Sequence, residues 1–409
     1  IMTFIAYSVL YIVGRVKAAR GSMLWRGRLG LIDSVGPKDL WMHAASVGEV
    51  KVLCYLLDYL NKRDPTLKVH ITAMTEAGFK TASRELADKG DTVTISYFPF
   101  DAPPAIRRSL ERINPRMLVI AETEIWPNLI SHAAGRNIPI ILINGRMSEK
   151  AFRAYRFVSA SLGKLLAKYD RFFFKTDLDA QRYRHFGVTT EKTAVAGDMK
   201  FDAPLPARSE GRRREIRSRV GVTEDEFLFV AGSTRPGEEA ILTDVFTAVH
   251  GEYKNFRMVI APRHMDRLCE VKAVLAEKGL PFSIYGETHC ADGIVIIDRM
   301  GILNDLYLAA NLAFVGGTLV NIGGHNILEP VWAGTPVIFG PYLSNVSEAA
   351  DYILSHNYGA RIDSGDQLAT LIKDVINSRV FFSVKTEGDL RTSPTAVVGD
   401  YILSRLRHV

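Results

Sequence analysis

Along most of the chain, short continuous apolar runs alternate with helical stretches. The runs predict strands at Leu40–Ala44, Val69–Ala73, Thr92–Tyr97, Met117–Ile120, Ile138–Ile143, Arg171–Lys175 and Thr193–Ala196. After a gap they resume at Phe227–Ala231, Arg257–Ala261, Phe282–Tyr285, Ile294–Ile297, Leu312–Val315 and Pro336–Phe339. Continuous apolar runs between helices indicate parallel strands covered on both faces. Such alternation predicts a doubly wound α/β fold.

In the gap, Pro204 and Pro206 precede a strongly charged stretch, so residues 204–220 read as a linker with a solvated helix. It separates an amino-terminal α/β domain, 29–203, from a carboxyl-terminal one, 221–393. A last helix, 394–409, is expected to pack back on the first domain. Two such domains would leave a cleft between the carboxyl ends of their strands, where ligands bind in doubly wound folds.

The amino end breaks the pattern. Ile1 to Val13 is almost all apolar, and Arg15, Lys17, Arg20, Arg26 and Arg28 follow with no acid before Asp33. That apolar run is shorter than the ~20 residues of a free-standing span. Its charges follow it, whereas in a secretory signal they come first. Residues 1–28 are read as a membrane-anchor helix whose basic flank faces an anionic cytoplasmic surface. The alternative is a buried amino-terminal helix.

Composition then narrows the classes. The 409 residues are 47% hydrophobic and 23% charged, which excludes a disordered, collagen-like or coiled-coil chain. The net charge of +6 suggests an anionic partner: nucleic acid, a phosphate-bearing substrate or a membrane surface. Cys54, Cys269 and Cys290 lack paired spacing, which argues against a disulfide scaffold or a thiolate metal site and for a reducing compartment.

Candidate chemistry lies where polar residues follow strands. In Trp41–Glu49 a strand enters a small-residue turn, with Glu49 at a helix amino end, where a carboxylate stays ionised and can accept a proton. A helix-terminus carboxylate without a catalytic role is the bland alternative. Glu122 and Glu124 close the strand before Pro127, and capping of the next helix would also explain them. Arg146 and Lys200 sit in the turns INGRMSE and GDMKFD, each equally readable as an ordinary surface turn. In the second half stand GSTR (232–235), APRH (261–264), RMGIL (299–303) and the long run from Phe314 to Pro330. The amides around Gly316, Gly317, Gly323 and Gly324 are expected to cradle a phosphate at a helix start, with Glu329 positioned to take both ribose hydroxyls. The spacing is neither GxGxxG nor a Walker loop, which lowers NAD and ATP readings. Asp177 and Asp179 follow Thr176 and suit a capped first helical turn better than a metal site.

Together HAASVGE, TAMTEAG, ETEIWPN, INGRMS, GDMKFD, GSTRPGEE, APRH and FVGGTLVNIGGHNILEP, spread over residues 40 to 350, resemble the 3-deoxy-D-manno-octulosonic acid (Kdo) transferases of lipopolysaccharide synthesis. The resemblance implies a GT-B fold and an inverting, metal-independent glycosyltransferase on the cytoplasmic face of the inner membrane. It implies no cofactor. The donor would be CMP-Kdo and the acceptor a lipid A precursor, attacked through a glucosamine 6-hydroxyl. It assigns the general base to Glu49 and transition-state stabilisation to Glu122 and Lys200. It assigns CMP contacts to Pro262, Arg263, Met300, Gly301, Ile302, Asn326, Ile327, Leu328 and Glu329. One rival is another GT-B nucleotide-sugar enzyme, such as a UDP-sugar transferase or epimerase. The other is a non-enzymatic basic protein that binds nucleic acid or anionic lipid. The basic runs lie outside the motif turns, so no nucleic-acid partner is expected.

Overall fold

A computed structural model describes residues 14–33, 35–203, 210–287, 293–385 and 393–408. The chain forms two compact units, 1–203 with 390–409, and 204–389.

The first unit is built on a parallel sheet with strand order β3-β2-β1-β4-β5-β6-β7. Its strands are β1 (Lys38–Ala44), β2 (Val69–Ala73), β3 (Val93–Tyr97), β4 (Pro115–Ala121), β5 (Ile140–Gly145), β6 (Arg171–Phe174) and β7 (Thr193–Val195). Alternate residues of the central strands feed two cores. Leu40 and Met42 point to one, and Trp41 joins Leu118 and Ile120 in the other. Burial on both faces explains why these runs carry no polar alternation. Strand order reverses between β1 and β4, the topological switch point where doubly wound sheets bind ligands.

The second unit repeats the plan with order β10-β11-β9-β8-β12-β13-β14. Its strands are β8 (Phe227–Thr234), β9 (Phe256–Pro262), β10 (Phe282–Ile284), β11 (Ile294–Ile296), β12 (Leu312–Val315), β13 (Val337–Phe339) and β14 (Gly359–Arg361). Every predicted strand is present, and the edge strand β14 is additional. It is three residues long and carries no apolar run, so the pattern gave no signal for it. The switch point here lies between β8 and β12. Paired doubly wound units are the organisation of the GT-B class.

The linker and amino-terminal assignments differ from the sequence expectation. The helix Glu210–Arg219 is not a solvated linker but part of the second unit. Its Arg217 is 1% exposed and donates to the carbonyls of Ala309 (2.9 Å) and Thr223 (2.6 Å), so this charge is spent on backbone acceptors. Residues 204–209 lie outside the described residues. The helix Pro394–Leu406 belongs to the first unit, where Val398, Ile402 and Leu406 share a core with Leu53, Leu57 and Leu60 of the helix Val47–Asn61.

The amino-terminal expectation changes most. Residues 1–13 lie outside the described residues. The helix Met23–Arg28, assigned to the anchor, packs on β3 as part of the first unit. A Cβ on Gly27 would lie 2.7 Å from that of Tyr97, and Arg28 donates to the carbonyls of Phe98 (3.0 Å) and Met74 (2.5 Å). Arg26 pairs with Asp33, which leaves Arg15, Lys17 and Arg20 as exposed charges of the basic flank. Among the described residues no helix is long and apolar enough to cross a membrane.

Candidate functional site

Two polar clusters form, one at the switch point of each sheet. In the first unit β1 ends at Ala44, and Ser46 caps the helix Val47–Asn61 by accepting from the Glu49 amide. The Glu49 carboxylate turns back on the same turn. One oxygen accepts from Ala45 N–H (2.7 Å) and the other from the Ser46 hydroxyl (2.8 Å). The pair is spaced as in a capping box, although the carboxylate reaches the N–H one residue before the cap, so the capping and the chemical readings of Glu49 describe the same atoms. Glu49 is 6% exposed. Burial pushes its carboxyl above the ordinary range, against the pull of Ala45 N–H and the Ser46 hydroxyl. Nearby Glu122 adds to the rise and Lys200 opposes it.

Glu122 follows β4 with φ of 56°, a left-handed conformation that is uncommon for a non-glycine residue. The twist aims its carboxylate at Lys200, whose Nζ stands 2.6 Å away. Lys200 rises from the turn Met199–Asp202. That turn is pinned by the Asp198 side chain, which accepts from Lys200 N–H, and by Asn144, which accepts from Met199 N–H at 2.9 Å. Burial alone would depress the ammonium, but Glu122, Asp198 and Glu49 together hold it above its ordinary value. Lys175 completes the cluster at 2.8 Å from Asp198 and 3.8 Å from Glu122. The three predicted residues therefore meet, although 73 and 78 positions separate them in turn along the chain.

Sequence reasoning passed over Lys175, Asp198, Asn144 and His43. Each sits in or beside a quoted motif, but a strand end or turn position does not reveal which way a side chain points. Arg146 is exposed and takes no part in this cluster. Asp179 turns inward to accept from Met147 N–H (2.8 Å) and the Thr176 hydroxyl, as a capped turn requires. Among the described residues no group of His, Cys, Asp and Glu is arranged to hold a metal ion.

In the second unit a cavity of about 270 Å³ is lined by Ser233, Arg263, Met300, Gly301, Leu303, Asn304, His325, Asn326 and Glu329. Pro262, Arg263, Met300 and Gly301 also line the small pocket beside it. These residues come from the carboxyl ends of β8 and β9 and from the loops and helix starts that follow β9, β11 and β12, the same end of the sheet. Ile302 is not in either lining, and Ile327 and Leu328 are buried, at 0% and 6% exposure. Asn326 donates to Glu329 at 3.3 Å, which fixes that carboxylate at the cavity wall.

Most of the expected phosphate cradle is already taken, the Gly316 and Gly324 amides by the carbonyls of Gly232 and Gly317. Glu238, fully buried, accepts from the amides of Gly317, Thr318, Leu319 and Arg235 at 2.9 to 3.1 Å. The helix Leu328–Trp332 is barely one turn, and Asn326 accepts from its Leu328 amide. Attraction for an anion falls instead to side chains. Arg235 donates to His325 (2.9 Å) and lies 2.8 Å from His264, with Arg263 nearby. Burial, then Arg235, Arg263 and His264, push His325 down to about 4, so it is a neutral acceptor that orients the Arg235 fork.

Residues 23–203 match the family described as 3-Deoxy-D-manno-octulosonic-acid transferase (kdotransferase). A bifunctional glycosyltransferase/methyltransferase from Fusobacterium nucleatum is 35% identical over 83% of this chain, which spans about half (53%) of that protein. The 3-deoxy-D-manno-octulosonic acid transferases of Chlamydophila psittaci and Haemophilus influenzae are 31% and 30% identical. These alignments cover 81% and 84% of this chain, and 76% and 80% of those proteins. A UDP-GlcNAc 2-epimerase from Neisseria meningitidis superposes with a TM-score of 0.57 at 13% identity, over 90% of this chain and all of that one. At that identity the likeness concerns the fold.

Proposed function

We propose, for a chain that belongs to the 3-deoxy-D-manno-octulosonic acid transferase family, that it moves Kdo from CMP-Kdo to the 6-hydroxyl of a glucosamine in a lipid A precursor, with inversion at the anomeric carbon. The observation that carries the mechanism is the carboxylate of Glu49, held by two donors beside the Glu122–Lys200 pair at the switch point of the first sheet. A sugar hydroxyl is a weak nucleophile at neutral pH. Glu49 takes its proton, a step typically worth ~10²–10⁴-fold. Lys200, oriented by Glu122, offsets the negative charge of the Kdo carboxylate and the departing nucleotide.

The cavity of the second unit is the CMP site in this reading. Arg263 and Arg235 face the phosphate, and Glu329 takes the ribose hydroxyls. The leaving group is a monophosphate, so no metal has to bridge a diphosphate, and turnover is expected to survive EDTA. In this reading the acceptor is a phosphorylated lipid, and the protein works at the cytoplasmic face of the inner membrane. Incubation with CMP-Kdo and a tetraacylated lipid A precursor, read by mass spectrometry, tests the function. Product mass raised by whole Kdo units is expected, and an unchanged acceptor rejects it. The second reading is another nucleotide-sugar enzyme of the same fold class, which a larger thermal shift with UDP than with CMP would favour.

A further inference from the structure

His43 and Glu124 form a pair that the reaction scheme above leaves unused. His43 is the penultimate residue of β1, is 0% exposed and stacks on Phe98 with ring centres 3.8 Å apart. Its Nδ1 lies 3.2 Å from the Thr72 carbonyl oxygen and 3.1 Å from the Thr72 hydroxyl. A carbonyl oxygen only accepts, and the Thr72 hydroxyl is itself within reach of the Met42 carbonyl as a donor. The proton of a neutral ring therefore belongs on Nδ1. The ring is neutral because complete burial, with Arg28 adding to it, pushes His43 down to about 3. Nε2 is then a bare lone pair, buried and without a hydrogen-bond partner. The Glu124 carboxyl faces it, with Oε2 4.0 Å away.

We propose that Glu124 is a positioning residue that works as a neutral carboxylic acid, its proton on the oxygen that faces Nε2 of His43. A carboxylate there would oppose a lone pair with a negative charge, whereas an acid donates to it. Glu124 closes the remaining distance by rotating its partly exposed side chain.

The consequence falls on Glu49. Two interacting carboxyls share their protons as a pair, and the surroundings decide which keeps one. Glu49 accepts from Ala45 N–H and the Ser46 hydroxyl and interacts with Lys200, all of which favour its ionised form. Glu124 lies against the His43 lone pair, with Glu49 and Glu122 as negative neighbours, the Tyr169 phenol behind it and only the Trp126 indole opposing. Burial, with Glu49 as the next cause, pushes Glu124 up to about 7. Environments that drive two carboxyls apart divide the acid and base roles between them. Glu124 keeps the proton, and Glu49 stays free to take one from the acceptor. This rests on Glu49 being the base.

The test begins with a readout that needs no substrate. In protein carrying ¹³C-labelled glutamate carboxyl groups, one resonance, absent from Glu124→Gln, should titrate near pH 7. Titration of that resonance below about pH 5, in the ordinary range, overturns the proposal. Turnover supplies the second arm. Glu124→Ala should lose about tenfold, and Glu124→Gln should recover most of it, because its amide donates to Nε2 as the acid does. In wild type kcat/KM should fall above pH 7, and Glu124→Gln should lack that limb. Equal losses in the Ala and Gln variants, or a limb that persists in Gln, overturn the proposal. Wild-type protein that transfers no Kdo would reject the function, and the carboxyl titration would still decide where the proton lies.

Discussion

Glu49 caps its helix and, in the proposed mechanism, is also the base. Glu49→Gln keeps an oxygen for one of its two donors, so the fold and CMP binding should persist while turnover drops at least ~100-fold. Near-normal turnover in a folded, CMP-binding variant would remove Glu49 from the mechanism. His70 concerns stability alone. Buried between the hydroxyls of Thr94 and Ser96, it is pushed down to about 3. The unfolded chain takes up a proton near pH 6.5 that the folded chain refuses until about 3. The contribution of His70 is therefore complete above 6.5 and is lost as pH falls, by about 1.4 kcal/mol per pH unit. Glu124 titrates with the opposite sign over part of this range, so the comparison has to be differential. Between pH 6.5 and 4.5 wild type should lose stability faster than His70→Gln by that slope. Parallel denaturation curves would show that His70 is already charged in the fold.

At the scale of elements, the helix Pro394–Leu406 supports the site from the end of the chain. Gly399 lies against Tyr59, and a Cβ there would sit 2.4 Å from that ring. Tyr59 belongs to the helix that begins with the Glu49 cap, and its hydroxyl donates to Asp400 at 2.8 Å. Thr395 N–H donates to Asp202, in the turn that carries Lys200. Gly399→Val should therefore cost ~1–3 kcal/mol by overpacking and should lower kcat through the displaced helix, with CMP affinity kept. Thermal unfolding with CMP titration checks this, and unchanged stability would mean that the interface yields freely. A last helix over 394–409, packed on the first domain, was expected from the sequence. Its value to the site was not, because the contact joins residues separated by 340 positions.

For the whole molecule, the membrane reading and the nucleotide reading separate cleanly. The cavity residues run from Ser233 to Glu329, all in the second unit, whereas the apolar run and the exposed Arg15, Lys17 and Arg20 precede Met23. Removing residues 1–13 should weaken flotation with anionic liposomes and lower turnover on lipid acceptor, yet leave the CMP dissociation constant unchanged. The exposed basic residues supply ~1 kcal/mol each near an anionic surface, so high salt should weaken flotation further. Full flotation of the truncated protein would place attachment elsewhere. Truncation to residue 28 is a different experiment, since it strips Gly27 and Arg28 from the packing on β3.

What the sequence by itself determined is the local and periodic part of this protein. Doubly buried strands must be apolar, so β1 to β13 announced themselves, and motif turns at strand ends marked where Glu49, Glu122, Lys200 and Arg263 would lie. Only the tertiary structure decided which groups satisfy one another. Amides of the glycine-rich run look like a phosphate cradle until Glu238 is found accepting from three of them, and a run of arginines looks solvated until Arg217 is found donating to carbonyls. In the proposed scheme the proton on Glu124 depends on the His43 lone pair, brought from β1. The physical reason is the same in each case. Hydrogen bonds and charge interactions act over a few ångströms, and residues far apart in the chain come that close only when the sheet orders its strands.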